Sequence, residues 1–294
     1  LFHFITKFKV PAFLGSSFAF LGGYAAVKAL APEGADPNTM LPYACLGVAC
    51  AGLVYFILAG IIRAIGVHRV MKFFPPVVTG PIIISIGLNL APSAINNIES
   101  CWWVALVAII IVVICNIWGK GMVKIVPILL GVVIPYVVAV CCGMVDFSAV
   151  GAEAIVGLPK FVLAKFDITA IQVMAPIAVA SMMEHIGDIS AISSTVGKNY
   201  IADPGLHRTL MGDGLATSLA SLFGGPANTT YGENTGVLAL TKVYDPFVIR
   251  IAALYAIILS FCPKFSAVIE AMPAATIGGV SLILYGMISA IGIR

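Results

Sequence analysis

Three carboxylates, and the small polar residues around them, carry the chemistry this sequence can offer. Glu184 and Asp188, in Ser181-Met-Met-Glu-His-Ile-Gly-Asp188, stand at i and i+4, so a helix projects both from one face. Two like charges this close cannot both ionise cheaply in a low dielectric, so the pair retains a proton. A pair that gains and loses a proton suits proton-coupled transport. The bland alternative is a pair hydrogen-bonded to helix backbone or to Ser190. Glu233 stands in Pro226-Ala-Asn-Thr-Thr-Tyr-Gly-Glu-Asn-Thr235, a polar opening that runs straight into an apolar helix. The N–H groups of Tyr231 and Gly232 at that helix start can donate to substrate carbonyls, while the carboxylate accepts from substrate N–H. Gly232 also lets backbone approach a ligand closely. Here the bland alternative is a capping box between Thr230 and Glu233.

Phe18 and Tyr231 are candidates to stack on a planar ring, and Asn234 is either a ligand or glue between helices. Asp213, in Met211-Gly-Asp-Gly-Leu215, joins the proton network or bonds to a neighbouring helix. His185 lies about 100° around the helix from Glu184 and reads as a supporting or packing histidine. No Walker loop, dinucleotide fingerprint or HExxH motif occurs in the sequence, so ATP-driven transport and zinc hydrolysis have no support. A channel or a membrane enzyme is a distant third reading, with neither a repeated pore-lining pattern nor a nucleophile–base pair in the sequence.

The elements that must position these residues are membrane helices. The chain is 61% hydrophobic and 10% charged, with mean hydropathy +1.08, against roughly 25% charged in soluble domains. Apolar runs of about twenty residues recur, the length that crosses a bilayer core. Polar, broken backbone at that depth is tolerated only where it is buried in protein or lines a cavity, and an ionisable residue there is a functional candidate. The net charge of +3 does not call for nucleic acid, and the seven cysteines show neither metal-ligand spacing nor a disulfide framework. The pattern predicts about ten crossings: from Pro11 to about Pro32, then Leu41–Ile65, Phe74–Ile95, Trp102–Trp118, Met122–Val145, Thr169–Ile192, Leu206–Phe223, Tyr231–Thr241, Pro246–Cys262 and Ala267–Ile293. Asp146 to Asp167 reads as a loop. Alternating sides from the first crossing puts twelve of the sixteen lysines and arginines at one set of ends, Lys7, Lys9, Lys198, Arg208, Lys242 and Arg250 among them. The opposite set holds Lys28, Lys160, Lys165 and Lys264. The richer set is therefore cytoplasmic.

Two openings are alike. Gly15-Ser-Ser-Phe18 and Asn228-Thr-Thr-Tyr231 each give two hydroxyl residues, an aromatic and then a helix. The two helices run in opposite directions by the alternation above. Paired interrupted segments of this kind point to an inverted repeat with the substrate at its centre. Ser17-Phe18 and Thr230-Tyr231 are expected to face each other as short extended strands.

Val10-Pro-Ala-Phe-Leu-Gly-Ser-Ser-Phe-Ala-Phe20, Glu184-His-Ile-Gly187, Asp203-Pro-Gly-Leu-His-Arg208, Asn228-Thr-Thr-Tyr-Gly-Glu-Asn234 and Gly278-Gly-Val-Ser-Leu-Ile-Leu-Tyr-Gly286 occur in order. With them the chain resembles the nucleobase–ascorbate transporter (nucleobase:cation symporter) family, nearest its bacterial uracil-permease branch. The resemblance implies an all-α polytopic inverted-repeat transporter of seven plus seven segments, of which this chain is a fragment running from the end of the second segment through the twelfth. It implies core-domain helices over 1–66 and 169–264, gate-domain helices over 67–148 and from 265 to 294, and an extracellular loop over 149–168. Carried over by residue, Glu184 and Glu233 resemble the two substrate carboxylates, Phe18 the aromatic beside the ring, and Tyr231 and Gly232 the neighbouring backbone. Asp188 departs from the histidine usual in uracil permeases and matches purine-transporting relatives, which in turn carry Gln-Asn where this chain has Glu233-Asn234.

The expected function is proton-coupled uptake of a nucleobase, uracil ahead of xanthine, across the bacterial cytoplasmic membrane. Substrate binding falls to Glu184, Glu233, Phe18, Tyr231, Gly232 and Asp188, and proton coupling to Glu184, Asp188, Glu233 and Asp213. The rival is an inverted-repeat sulfate or bicarbonate carrier. Expected partners are the nucleobase, the proton, the bilayer and, as an assembly to test, a second copy in a homodimer. No cofactor, metal or nucleic acid is expected.

Overall fold

The structure, a computed structural model, describes residues 1–72, 76–159 and 161–293, without the side chains of Met71, Pro76, Thr79, Glu233 and Ile291. Phe74 at the expected start of one crossing, and Lys160 and Arg294 from the charge count, lie outside the described residues. So does the side chain of Glu233.

In chain order, a short helix over Phe2–Ile5 precedes strand β1 (Leu14–Ser16), a 3-10 turn over Phe18–Phe20 and helix α1 (Leu21–Lys28). Helices α2 (Leu41–Ile65), α3 (Pro76–Glu99), α4 (Trp102–Trp118) and α5 (Pro127–Cys141) follow. Then come α6 (Ile168–Met174), α7 (Ile177–Val196) and α8 (Leu206–Leu222). Strand β2 (Asn228–Thr230) leads to α9 (Glu233–Thr241), and α10 (Pro246–Ser260), α11 (Pro263–Glu270) and α12 (Ala274–Ile293) complete the order. Among the described residues, Pro37–Ile65, Gly80–Glu99 and Ile168–Val196 have the length and apolarity of a crossing. Trp102–Trp118, Pro127–Cys141 and Ala274–Ala290 are apolar and shorter.

The expected Leu41–Ile65 and Trp102–Trp118 helices form with those bounds, for local reasons. Ahead of α2, Asp36 accepts from the Asn38 N–H at 2.9 Å, and Pro42 sits near the helix start, where its missing N–H costs nothing. Gly66, at φ +87°, then ends the helix in a conformation that glycine alone takes freely. In α4, Val104, Ala105, Ala108, Val112 and Cys115 make one buried stripe.

Prolines correct other boundaries. The expected Thr169–Ile192 crossing lies within one apolar span, Ile168–Val196, built of α6 and α7 with a break at Ala175-Pro176 and ended by Gly197, left-handed at φ +74°. Ala267–Ile293, by contrast, is not one continuous helix. It divides into α11 and α12 at Ala271-Met272-Pro273, because proline cannot donate to the preceding turn and its ring clashes with it. Met122–Val145 breaks before Pro127 and ends at Cys141, and Ser148–Ala152 in the expected loop is a short helix.

The chain divides into two compact units, one of residues 1–83 and 161–253, the other of 84–160 and 254–294. In the first, a core that includes Phe20, Tyr55, Met174, Met183, Ile189, Leu206 and Leu210 is fully or nearly fully buried. Helices α2 and α8 cross there at backbone distance. A Cβ on Gly52 would lie 2.6 Å from the Gly214 carbonyl oxygen, and one on Gly214 would lie 2.6 Å from that of Gly52. Small residues permit that approach between membrane helices, and the Ser218 hydroxyl locks it by donating to Ala49 O at 2.9 Å. In the second unit, α4 packs through Ala105 on Ala275 and through Ala108 and Val112 on Val280.

Strands β1 and β2 pair antiparallel, Leu14 with Thr230, Gly15 with Thr229 and Ser16 with Asn228. The pairing lies slightly upstream of the Ser17-Phe18 and Thr230-Tyr231 match. Ser17 N–H donates to Ala227 O at 2.8 Å, and Tyr231 N–H donates to Phe13 O at 3.1 Å. A shift of 214 positions exchanges these two bonds and superposes Ser17 on Tyr231 and Phe18 on Gly232. The local two-fold axis is therefore one residue out of step with the hydroxyl–hydroxyl–aromatic alignment. An antiparallel ladder allows such an axis only through a residue pair, not between pairs. Because the strands are antiparallel, the helical segments after them leave from opposite ends of the ladder.

Candidate functional site

All the expected site residues lie in the first unit. Helix α7 brings Glu184, His185 and Asp188, α8 brings Asp213, and the two strand-to-helix junctions bring Phe18 and Tyr231-Gly232-Glu233. Asp188 is buried, while Glu184, Phe18, Tyr231 and Gly232 are half-buried.

The junction after β2 rests on Asp188. Thr230, itself buried, donates its hydroxyl to Asp188 Oδ2 at 3.0 Å. Two residues on, a Cβ at Gly232 would lie 2.5 Å from Asp188 Oδ1, so only glycine lets the backbone pass the carboxylate this closely. The Thr230 hydroxyl thus donates to Asp188, and the N-cap of α9 is Gly232. Glu233 opens α9.

The junction after β1 meets the same helix. Ser17 Oγ lies 3.4 Å from Ser181 Oγ, both buried, and Phe18 begins the 3-10 turn. Tyr231 folds back over the ladder: its hydroxyl is 3.2 Å from Ser16 Oγ, and any Cβ at Gly15 would run into its ring. Its amide, expected to be open to a ligand, is committed to Phe13 O. Behind β2, Thr217 on α8 holds Asn228 at both ends, donating to its carbonyl and accepting from its N–H, each at 3.2 Å.

Asp213 reaches His185, whose Nδ1 lies 3.0 Å from Asp213 Oδ2, with both side chains wholly buried. The same nitrogen is 3.5 Å from Thr230 Oγ1. His185 therefore joins α8 to β2, and a chain runs from Asp213 through His185 and Thr230 to Asp188. The bridging role of His185 and the donor role of Thr230 are what sequence reasoning missed. Periodicity turned His185 away from Glu184, and nothing in the sequence says that α8 and β2 lie on that side. Phe2 closes the back, edge-on to His185 at 6.4 Å between ring centroids.

The site combines carboxylates on α7, which are acceptors for N–H groups, with the start of α9, and the amide end of a helix is a donor for oxygen acceptors. Among the described residues, no cluster of three or more histidines, cysteines or acids could hold a metal ion.

The model of the Permease family (Xan_ur_permease) matches residues 1–294. The chain is 40% identical to a uracil permease of Bacillus caldolyticus over 308 residues, covering all of this chain and 69% of that protein. It is 42% identical to the uracil permease of Bacillus subtilis, covering 99% and 69%. Against the putative pyrimidine permease RutG of Escherichia coli it is 38% identical, covering 100% and 68%. The transmembrane domain of a cyanobacterium bicarbonate transporter, BicA, superposes with a TM-score of 0.68 at 17% identity, over 97% of this chain and 82% of that one. That likeness is one of fold.

Proposed function

The chain belongs to the Permease family that its whole length matches, and from that premise we propose that it takes up uracil together with a proton, by alternating access. It is a multi-pass membrane protein of the bacterial cytoplasmic membrane, a transporter rather than an enzyme. Uracil as substrate is favoured by relatives at about 40% identity over the full chain that are uracil permeases. The fold likeness to a bicarbonate carrier comes at 17% identity and carries no such weight for the anion rival.

The observation that carries the site assignment is the convergence of Asp188 on the β2–α9 junction, through Thr230 at 3.0 Å and the bare backbone of Gly232. Uracil has two ring N–H donors and two carbonyl acceptors. In this reading Glu184 and Glu233 accept from N–H, and the Gly232 amide donates to a carbonyl in place of the committed Tyr231 amide. Phe18 flanks the ring, and Tyr231 holds the ladder in place. A wrong base would leave buried polar groups unpaired at about 1–3 kcal/mol each, enough for strong discrimination. The proton resides on the Glu184–Asp188 pair, with Asp213 coupled to it through His185 and Thr230. Residues 1–83 and 161–253 act as the core domain that carries the site, and the second unit acts as the gate. Ten crossings of a fourteen-segment fold remain the expected count.

The test is uptake of radiolabelled uracil by the full-length carrier in proteoliposomes, with unlabelled uracil, xanthine, sulfate and bicarbonate as competitors. Uracil should compete strongly, xanthine less, and the anions not at all, and a protonophore should abolish accumulation. Competition by sulfate or bicarbonate without competition by uracil would replace this reading with the anion one. Accumulation untouched by the protonophore would remove the proton.

A further inference from the structure

The first unit has a polar cavity formed by segments that the carboxylate site does not use. It measures about 570 Å³ and is lined by Phe8, Lys9, Lys198, Asn199, Tyr200, Asp203, Tyr244 and Pro246. Three stretches build it: the chain after the first short helix, the α7–α8 connection and the α9–α10 connection.

Its walls are held in place deliberately. Among the described residues, Lys7, Phe8 and Lys242 are the non-glycine residues with positive φ, at 55°, 57° and 57°. Lys7 and Phe8 turn the chain into one wall, and Lys242 turns it toward Tyr244 and Pro246 in another. Left-handed backbone in ordinary residues costs about 1–3 kcal/mol each and persists where surrounding structure demands it. Arg250 fixes the Phe8 wall, its guanidinium stacked between the rings of Phe8 at 4.9 Å and Phe247 at 5.1 Å. Tyr200, nearly fully buried, is tied down by its N–H donating to Ser193 Oγ at 3.1 Å.

The charge of this region is lopsided. Lys9 and Lys198 line the cavity, and Lys7, Arg208 and Arg250 stand in the same region. The acids are Asp203, which accepts from Lys9 Nζ, and Asp245, occupied in accepting from the Phe247 N–H at 2.8 Å. Lys9 thus has a carboxylate partner, Lys198 lines the cavity with no ion pair among the described residues, and the tyrosine hydroxyls and Asn199 add neutral hydrogen-bonding groups. The basic residues belong to the set of helix ends that the charge bias puts in the cytoplasm. A neutral base gains little from paired ammonium groups. A phosphate gains charge-assisted hydrogen bonds from each, and basic pockets at the cytoplasmic side of membrane proteins are suited to anionic headgroups.

We propose that this cavity binds a phosphate-bearing anion, with Lys198 and Lys9 as its charged contacts and Tyr200 and Tyr244 as its walls. The shared chemistry is the phosphate group, carried either by an anionic phospholipid or free in the cytosol. The site stands apart from the carboxylate site and does not depend on which base is carried.

Thermal unfolding of the purified full-length carrier in detergent tests it, with phosphatidylglycerol, phosphatidylcholine or inorganic phosphate added at matched ionic strength. Phosphatidylglycerol or phosphate should raise Tm by about 2–4 °C at saturating ligand, and phosphatidylcholine should not. Lys198→Gln should lose the rise and Lys198→Arg should keep it. Asp203→Asn, which removes the cavity's lining carboxylate, should enlarge it, and Lys28→Gln at the opposite helix ends should leave it unchanged. A rise with phosphatidylglycerol alone makes the source lipid, and one with inorganic phosphate makes it the free ion. No rise with either, an equal rise with phosphatidylcholine, or a rise undiminished in Lys198→Gln would overturn the proposal.

Discussion

Adding one methyl group at Gly232 should separate substrate binding from folding. The new Cβ would stand 2.5 Å from Asp188 Oδ1 and 3.3 Å from Asp188 Cγ, where ordinary carbon–oxygen contacts begin above about 3 Å. Either the carboxylate or the start of α9 must yield by roughly half an ångström or more. If the carboxylate swings, its 3.0 Å bond from Thr230 stretches toward the limit of a useful hydrogen bond. Overpacking of this kind costs about 1–3 kcal/mol, which corresponds to a loss of roughly 5- to 150-fold in binding. Gly232→Ala should therefore raise the KM for uracil by about that factor while the protein still reaches the membrane. The assay is initial-rate uptake across a range of uracil concentrations, normalised to surface expression. Asp188→Ser supplies the second arm of a double-mutant cycle. With the carboxylate gone the methyl group has room, so the penalty of Gly232→Ala should shrink at least severalfold in the Asp188→Ser background. Wild-type kinetics in Gly232→Ala, or an undiminished penalty in the double variant, would refute the claim that Asp188 and the α9 start form one site.

Three further outcomes follow from named residues. Glu233→Gln should abolish uracil uptake with normal expression, since the amide turns a donor toward a substrate N–H; unimpaired uptake would end the proposed role. Asp188→His should move preference toward uracil over xanthine in paired uptake measurements, because histidine can donate to a pyrimidine carbonyl; an unchanged ratio would make Asp188 structural. The hydrogen bond from Lys9, aided by the nearby Lys7 and Arg208 charges, holds the Asp203 carboxyl below its ordinary value. A depressed carboxyl contributes stability above its unfolded pKa of about 3.9 and loses it as pH falls through the folded value. Asp203→Asn should thus unfold at a lower temperature than wild type at pH 7, with the gap closing as pH falls below about 4; a constant gap would contradict the pairing.

Much of the framework was legible because hydropathy and punctuation agree. Leu41–Ile65 is one apolar run between Pro42 and Gly66, and Trp102–Trp118 is one between Cys101 and Gly119, so length and stop signals coincide. Hydropathy misled where an apolar run crosses a proline. Pro273 was visible in the sequence, yet the apolarity on both sides made one long span look better than two helices, whereas the run across Pro176 remains one apolar span with a break inside it. The carboxylates stood out by being ionisable in an apolar chain. Their connections did not, because the helix period places His185 relative to Glu184 but says nothing of what lies beyond it. That Thr230 and Asp213 both come to His185 depends on α8 crossing α2 at Gly52 and Gly214. Register was also hidden: two similar openings suggested a two-fold relation, but ladder hydrogen bonding chooses the axis, and it chose one residue away from the side-chain match.

The ladder between Leu14–Ser16 and Asn228–Thr230 also has a consequence in time. Its strands are separated by roughly 200 residues of chain, and at about 5–20 residues per second the first waits some ten to forty seconds for the second to be made. Throughout that wait, the amides and carbonyls of β1 lack the partners that β2 supplies, and lipid would offer them none. The nascent chain must either hold this segment near water or lend it a temporary partner. Whatever the junctions beside this ladder bind, they cannot be complete until β2 has been made.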